Sequence, residues 1–378
     1  MSLHIDFRER INKIRSMMAK KNIGVLVVTT QSNIAYVMGC VTPWRTAVVI
    51  PIEGEIMGTT MINDADRVQK ETWVKIKRGW ELALKEPTLI AVIKEIIKDL
   101  GDYSGKIGLE FNDLTIEEFN AFIKELNPNN IIDSSEVIAQ VMVLKEEVEI
   151  YYLKRAAQIA DKGMNALFEH CKVGVSEIEL AGIAEKAMRD AGNEWAWGNY
   201  CNSEVGSGER TSWYQGWTSP PTRKLIQDND MMIIDLHPMY NLYLSDVAAN
   251  AVIGNPSPEQ HDLIEAWKEG VYTLLDSLKP GLKGKEVALK TIKILQKNGY
   301  ADAAIPLYGH GLGTSCRIAP TIAIDSEDIL KPNMAVVAVL NMTKPGIGGL
   351  RIETPVLITN DKPERLSKIP IEPVIIER

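Results

Sequence analysis

The feature that most constrains the fold is a repeated order of elements in the second part of the chain. Two pairs of amphipathic helices are predicted there, and strand-rich sequence follows each pair. The pairs are 146–170 with 176–191, and 258–279 with 284–298. Ser176 and Glu179 have the spacing of a capping box, and Ser257 with Gln260 repeats it around a proline. This order indicates two similar α/β halves produced by a faint internal duplication.

The first part of the chain alternates between helices and strands. Helices are predicted at 5–22, 88–100 and 115–126, and strands at 24–30, 106–111 and, as two strands with a turn, 45–57. This alternation predicts an α/β N-terminal domain. The boundary falls within 130–146, where a short strand is predicted to continue into a long charged helix. We therefore predict domains at 1–140 and 141–378.

The composition excludes several classes of protein. The chain has 378 residues and a formal net charge of −8, whereas phosphate binding requires clustered Lys and Arg, so we expect no nucleic-acid partner. No apolar run is long enough to span a membrane, and the charged N-terminus lacks the apolar core of a signal peptide. The four cysteines have no CxxC spacing, which is typical of reduced thiols. We expect a cytoplasmic protein with no membrane partner.

Four residues of the second part have side chains that bind divalent metals. Asp235 and Asp246 lie eleven residues apart in strand-like sequence. His310 lies between two glycines, and Glu353 lies in the last strongly strand-like run. Carboxylates and an imidazole suit manganese, zinc, cobalt or iron(II), and such an ion activates water near neutral pH. The set predicts a metal-dependent hydrolase, in which His310 and Glu353 are catalytic residues as well as ligands.

These residues resemble the ligand set of the pita-bread metallohydrolases, the family of prolidase, aminopeptidase P, methionine aminopeptidase and creatinase. The family pattern is Asp, a second Asp eleven residues later, His between glycines, and two Glu from the last strands. The similarity extends from NIAYVMG near the start to RIETPVLIT near the end. It implies a creatinase-like α/β N-terminal domain, a pita-bread C-terminal domain with pseudo-twofold halves, and a homodimer. It also implies X-Pro peptides as substrates.

Three positions depart from the family pattern. The first of the two glutamates aligns with Val339, and a valine cannot bind a metal. The family's second histidine aligns with Arg317, and its substrate-side histidine aligns near Trp217. The missing glutamate predicts either one tightly bound ion per chain or none.

The resemblance assigns roles to the ligands that remain. A tightly bound ion is expected on Asp246, His310 and Glu353. Asp235 is expected either to hold a second ion weakly or to bind through the partner oxygen of Asp246.

Three residues beside the predicted ligands could also contribute to the site, and two of them have alternative roles. His237 shares a strand face with the first aspartate, because strand side chains alternate. It is either an ordinary histidine bonded to backbone, or a replacement ligand or base. Asn341 offers a carbonyl oxygen one strand repeat away from Val339. Arg351 either clamps a substrate carboxylate or forms a salt bridge that holds Glu353 in place.

Tryptophan is concentrated just before the predicted metal-binding region. Four of the eight tryptophans lie within 193–217. Clustered aromatic rings bind an apolar ring such as proline, or a cation, but they also pack cores and dimer interfaces. We predict that Trp213 and Trp217 line a pocket and that Trp195 and Trp197 pack. The predicted substrate-binding residues are Trp213, Trp217, His237, Arg317 and Arg351.

Three functions fit these features. The first is a metal-dependent hydrolase of a small peptide or amide, similar to an X-Pro dipeptidase or aminopeptidase. The second is a metal-free, creatinase-like hydrolase of a small nitrogenous compound. Creatine itself is disfavoured, because the acid/base histidine of creatinase aligns near Trp217. The third is a non-catalytic relative that binds a peptide or partner. We favour the first, because four of the five ligand positions are kept.

Overall fold

A computed structural model of the chain describes residues 4–81, 87–126, 128–194, 203–213 and 220–377. The chain divides into two compact units, Met1–Met142 and Val143–Arg378.

The first unit contains one mixed sheet with helices. Its helices are α1 (Phe7–Lys20), α2 (Gln31–Met38), α3 (Ala65–Glu71), α4 (Leu89–Asp99), α5 (Ile116–Glu125) and α6 (Glu136–Met142). Its strands are β1 (Ile23–Val28), β2 (Ala47–Pro51), β3 (Met57–Thr59), β4 (Lys75–Ile76), β5 (Lys106–Leu109) and β6 (Ile131–Asp133). The strands are hydrogen-bonded in the order β4-β3-β2-β1-β5-β6. The predicted α/β alternation of this unit is confirmed.

Helix α4 shows why the first unit folds in this way. The hydroxyl of Thr88 accepts a hydrogen bond from the N–H of Ala91, which satisfies one free donor at the helix start. The apolar face of the helix recurs at helical spacing and is buried against β1, β2 and β5. Burial of about 25 cal/mol per Å² of apolar surface makes this face the main source of stability for the helix.

The second unit contains the two predicted helix pairs and one large sheet. Its helices are α7 (Glu147–His170), α8 (Glu177–Asp190), α9 (Pro258–Ser277) and α10 (Gly284–Lys297). Its strands are β7 (Glu204–Ser207), β8 (Met231–Leu236), β9 (Met239–Tyr240), β10 (Tyr243–Leu244), β11 (Val247–Ile253), β12 (Leu307–Gly311), β13 (Ile318–Ala323), β14 (Ala335–Lys344), β15 (Gly348–Leu357), β16 (Glu364–Arg365) and β17 (Val374–Ile376). The sheet runs β13-β12-β14-β15-β11-β8-β7, with β16 paired to β15 and β17 to β11.

Each helix pair covers its own part of the large sheet. Helices α7 and α8 pack on β7, β8 and β11, whereas α9 and α10 pack on β12, β14 and β15. In β14, Val336, Ala338 and Leu340 belong to the core beneath α9 and α10. Because strand side chains alternate, Val339 and Asn341 lie on the opposite face. That opposite face carries the predicted metal ligands.

One predicted helix is in fact two. The sequence predicted a single long charged helix after the strand near 131, but α6 and α7 are separate. Leu144 leaves the helical path and forms a bridge with Met334. Helix α7 then starts again, where the Glu149 side chain accepts from the N–H of Glu146 at 2.8 Å. The break is marked by a new N-terminal cap and not by a change in the spacing of apolar residues along the sequence.

The two predicted capping boxes differ in the structure. Both halves form at Ser257 and Gln260, with hydrogen bonds of 3.2 and 2.8 Å. At α8 only one half forms: the hydroxyl of Ser176 accepts from the N–H of Glu179 at 3.3 Å. The side chain of Glu179 is exposed to solvent instead.

Two further features concern composition. Among the helices of the described ranges, none is both long and apolar enough to cross a bilayer. Cys40, Cys171 and Cys316 are buried, whereas Cys201 lies outside the described residues.

Candidate metal centre

A row of side chains crosses the middle of the large sheet on the face turned away from the helix pairs. The cross-strand partners along this row are Glu204, Asp235, Ala248, Glu353 and Val339. Cross-strand partners share a face and lie about 4.5 to 5.5 Å apart. The small Ala248 therefore leaves space between two carboxylates that converge from its two sides. The sequence analysis did not single out Ala248 or Glu204, because a lone alanine or glutamate carries no pattern.

The hairpin that joins β8 to β11 adds a second row. The pairing of these strands continues past their ends, because the N–H of Ser245 donates to the carbonyl of Pro238 at 2.9 Å. This register sets His237 opposite Asp246. The eleven-residue spacing therefore places Asp246 one row beyond Asp235, on the same face.

Four side chains form a buried cluster on these rows. Asp235, His237, Asp246 and Glu353 each offer one ligand atom, and these atoms all lie within 4.8 Å of one another. His237 Nε2 lies 3.6 Å from Asp235 Oδ1 and 3.4 Å from Asp246 Oδ1. His310 Nε2 lies 3.6 Å from the other oxygen of Asp246, Oδ2. All five residues are at most 8% exposed. The structure thus brings three predicted ligands, Asp235, Asp246 and Glu353, into one compact group with His237, while the fourth, His310, faces the other oxygen of Asp246.

Several polar atoms of this cluster lack hydrogen bonds. Across the described residues, those without a hydrogen-bond partner include Asp235 Oδ1, Asp246 Oδ1, His237 Nδ1 and His310 Nε2, whereas Asp235 Oδ2 is in an ion pair. A buried polar atom without a partner costs about 1 to 3 kcal/mol, and more if charged. A divalent cation would satisfy oxygen and nitrogen donors arranged in this way. The donor set therefore fits a metal ion.

Arg351 neutralises part of the cluster. Its Nη2 lies 2.7 Å from Glu353 Oε1 and 2.9 Å from Asp235 Oδ2, and its Nη1 lies 3.3 Å from Glu204 Oε2. The residue is 3% exposed. These contacts favour the alternative in which Arg351 holds Glu353 in place over the one in which it clamps a substrate.

The electrostatics of the cluster are strongly coupled. Burial, followed by the charge of Glu353, raises the pKa of Asp246 well above its ordinary value. Burial also opposes ionisation of Glu353, but Arg351, Asp246, His310 and His237 together outweigh it, so the pKa of Glu353 is lowered. For His237, burial is outweighed by Asp235 and Asp246, and the pKa is raised well above its ordinary value. The raised pKa values of the two aspartates show that burying these carboxylates together disfavours their ionised forms, and a bound dication would favour the ionised forms instead.

Val339 and Asn341 occupy the places expected from strand alternation. Val339 is 2% exposed and lies directly opposite Glu353 across β14 and β15. Asn341 pairs with Arg351, one row away, and its side-chain oxygen has no hydrogen-bond partner within the described chain. The apolar side chain of Val339 therefore lies at one end of the row that contains Glu204, Asp235 and Glu353, called the acidic row below.

The predicted substrate-binding residues differ in position. Trp213 directly follows the 3₁₀ turn Gly208–Ser212 and is 56% exposed. Trp217, like Trp195 and Trp197, lies outside the described residues. Arg317 is exposed, but its charge is among the smaller contributions, after burial, to the pKa values of Asp235 and His310.

A buried glutamate anchors the segments on either side of residues 214–219. Glu177, at the start of α8, is fully buried and accepts from the N–H groups of Ser207 and Thr222 at 2.9 and 3.0 Å. It also forms an ion pair with Arg210. Ser207 ends β7 beside the cluster, so this network fixes the edge of the site to the helix layer.

We expect Glu177→Ala to destabilise the protein by about 3 to 5 kcal/mol, the usual cost of removing one partner of a buried ion pair. Arg210 and the two backbone donors would lose their acceptor. Urea unfolding of the second unit, followed by tryptophan fluorescence, measures this change. Glu179→Ala, at an exposed position on the same helix turn, is the matched control. Equal stability of the two variants would contradict the role given to Glu177.

Comparisons with known proteins agree with this site. Residues 151–360 match the metallopeptidase family M24, and residues 10–141 match the Creatinase/Prolidase N-terminal domain. The chain is 28% identical over 368 residues to an Xaa-Pro dipeptidase of Pyrococcus furiosus, covering 96% of this chain and 98% of that protein. These matches confirm the predicted fold class, an α/β N-terminal domain followed by a pita-bread domain.

Solved structures agree as well. An Xaa-Pro dipeptidase from Bacillus anthracis is 26% identical with a TM-score of 0.85, covering 98% of this chain and 100% of its own. The prolidase from Pyrococcus horikoshii is 25% identical with a TM-score of 0.84, covering 96% of this chain and 99% of its own.

Proposed function

We propose, from the premise that this chain belongs to the metallopeptidase family M24, that it hydrolyses small peptides and that X-Pro dipeptides are its substrate class. The observation that carries the proposal is the buried, incompletely hydrogen-bonded set of Asp235, Asp246, His310 and Glu353. The relatives named as Xaa-Pro dipeptidases support the substrate class.

The proposed centre uses the residues already described. Asp235, Asp246 and Glu353 would hold a divalent ion. His310 faces the second carboxylate oxygen of Asp246, Oδ2. When bound, manganese, zinc, cobalt or iron(II) would act as a Lewis acid toward the scissile carbonyl and lower the pKa of water. Arg351 keeps Glu353 ionised and oriented. Burial lowers the pKa of His310, which favours the neutral imidazole, the form that can bind a metal.

The proposed number of tightly bound ions is one per chain. Val339 stands where the family pattern has a glutamate, on the side of Asp246 that faces His310. An ion on that side would therefore have fewer oxygen ligands. We expect a second ion to bind weakly if it binds at all.

One observation favours the metal-free alternative. Arg351, together with His237 if protonated, supplies positive charge among the carboxylates without any ion. In that case the site would be a creatinase-like hydrolase of a small nitrogenous compound. Activity that survives chelation would support this alternative. The homodimer and the cytoplasmic location remain predictions from the sequence.

Metal removal tests the proposed function. We expect the manganese-loaded protein to cleave Ala-Pro and Met-Pro but to cleave Ala-Ala much more slowly. Exhaustive dialysis against a chelator should abolish cleavage, and added manganese should restore it, because the ion would supply the Lewis acid and lower the pKa of the attacking water. Ninhydrin or mass-spectrometric detection of released proline measures the reaction. Unchanged cleavage after chelation, or no cleavage of any dipeptide by the loaded protein, would contradict the proposal.

A further inference from the structure

His237 lies in the metal cluster although it has no place in the expected ligand pattern. Its side chain is 6% exposed, and Nε2 faces both aspartates. Its Nδ1 has no hydrogen-bond partner in the described structure. The alternative of a histidine bonded to backbone is therefore wrong. Nε2 of the ring instead lies between the carboxylates of Asp235 and Asp246.

The distances around Nε2 distinguish coordination from hydrogen bonding. Nε2 lies 3.6 Å from Asp235 Oδ1 and 3.4 Å from Asp246 Oδ1. Hydrogen bonds from N–H to oxygen are shorter, with a mode of about 2.9 to 3.0 Å. Two ligands that are each about 2.1 Å from a common ion lie about 3.0 Å apart in octahedral and about 3.4 Å apart in tetrahedral geometry. The observed spacing is closer to the edges of a coordination polyhedron.

Asp246 separates two possible ion positions. Its Oδ1 faces His237, whereas its Oδ2 faces His310. The compact group of ligand atoms lies on the side of Asp246 that faces His237, and it also includes Asp235 and Glu353. The His310 side lacks the carboxylate that Val339 replaces.

We infer that His237 is a metal ligand that, with Asp235, Asp246 and Glu353, completes a one-ion site on the Oδ1 side of Asp246. The inference rests on the proposed function only in that the cluster binds a divalent ion; it requires no peptide substrate. One nitrogen and three carboxylates favour manganese, iron(II), cobalt or zinc over magnesium, because imidazole suits transition metals better. The histidine thus compensates for the acid lost at position 339, from the opposite side of the centre.

Manganese binding tests this inference without reference to activity. The native protein, His237→Ala and His310→Ala would be titrated with manganese(II) by isothermal calorimetry, with His261→Ala, an exposed histidine on α9, as the control. Loss of even an outer partner of a ligand weakens binding by 10–100-fold. We therefore expect His237→Ala to bind manganese at least about 100-fold more weakly, with His261→Ala unchanged.

Pulsed EPR of the manganese-loaded protein identifies the nitrogen ligand directly. We expect an imidazole nitrogen coupling in the native protein that persists in His310→Ala, a result that does not depend on how well His237→Ala folds. Loss of the coupling in His310→Ala, or native affinity in His237→Ala, would overturn the inference and leave the proposed function intact. Failure of the native protein to bind manganese, zinc, cobalt or iron(II) would overturn both.

Discussion

An Asp246→Ala variant is expected to lose its bound ion and at least about 100-fold of its hydrolytic activity, because loss of even an outer-shell partner costs 10–100-fold. Asp246 is the residue that faces both histidines, with Oδ1 toward His237 and Oδ2 toward His310. Its removal takes a donor from either possible ion position.

The measurement combines metal content with kcat/KM for an X-Pro dipeptide on the same preparation. Asp262→Ala, which removes an exposed carboxylate on α9, is the matched control and should behave as the native protein does. Circular dichroism and thermal unfolding establish that the variant is folded. A folded Asp246→Ala variant with a full ion and native turnover would contradict the proposed centre.

Val339→Glu is expected to add a second tightly bound ion per chain. Val339 is buried opposite Glu353, so a glutamate there places a new carboxylate at the edge of the acidic row. Without metal, the added buried charge should destabilise the fold by several kcal/mol, about the penalty of an unpaired buried ion. Manganese should reverse that loss, because only the folded state offers the completed site.

Val339→Gln separates charge from size in this experiment. Glutamine has nearly the same shape but no charge, so its stability should depend little on manganese and its metal content should stay at one ion. Thermal unfolding with and without manganese, together with elemental analysis, measures both effects. If Val339→Glu holds one ion and shows no stabilisation by manganese beyond that of Val339→Gln, then position 339 does not limit the second site.

The sequence identified Asp235 and Asp246 as candidate ligands because their eleven-residue spacing and strand-like surroundings are local features. The hairpin of β8 and β11 then places both aspartates on one face of the sheet. The helix pairs were predicted for the same reason, since apolar period and caps are local features. The break between α6 and α7 was missed because it depends on a bridge between Leu144 and the distant Met334.

The remaining features of the site depend on tertiary contacts. Strand alternation put His237 on the correct face, but its reach to Asp246 follows from the register of the hairpin beyond β8. Arg351 forms ion pairs with Glu353 and also with Asp235 and Glu204, which lie on other strands. These contacts favour a role in holding Glu353 over a role in binding substrate. A sequence pattern carries no information on such distances.

Elemental analysis of metal per chain, after purification without chelators and incubation with manganese, tests the central claim most directly. The proposed centre predicts one tightly bound ion, because Asp235, Asp246 and Glu353 form a compact donor set while Val339 removes a donor from the second position. Two ions per chain at near-full occupancy, or none, would contradict it.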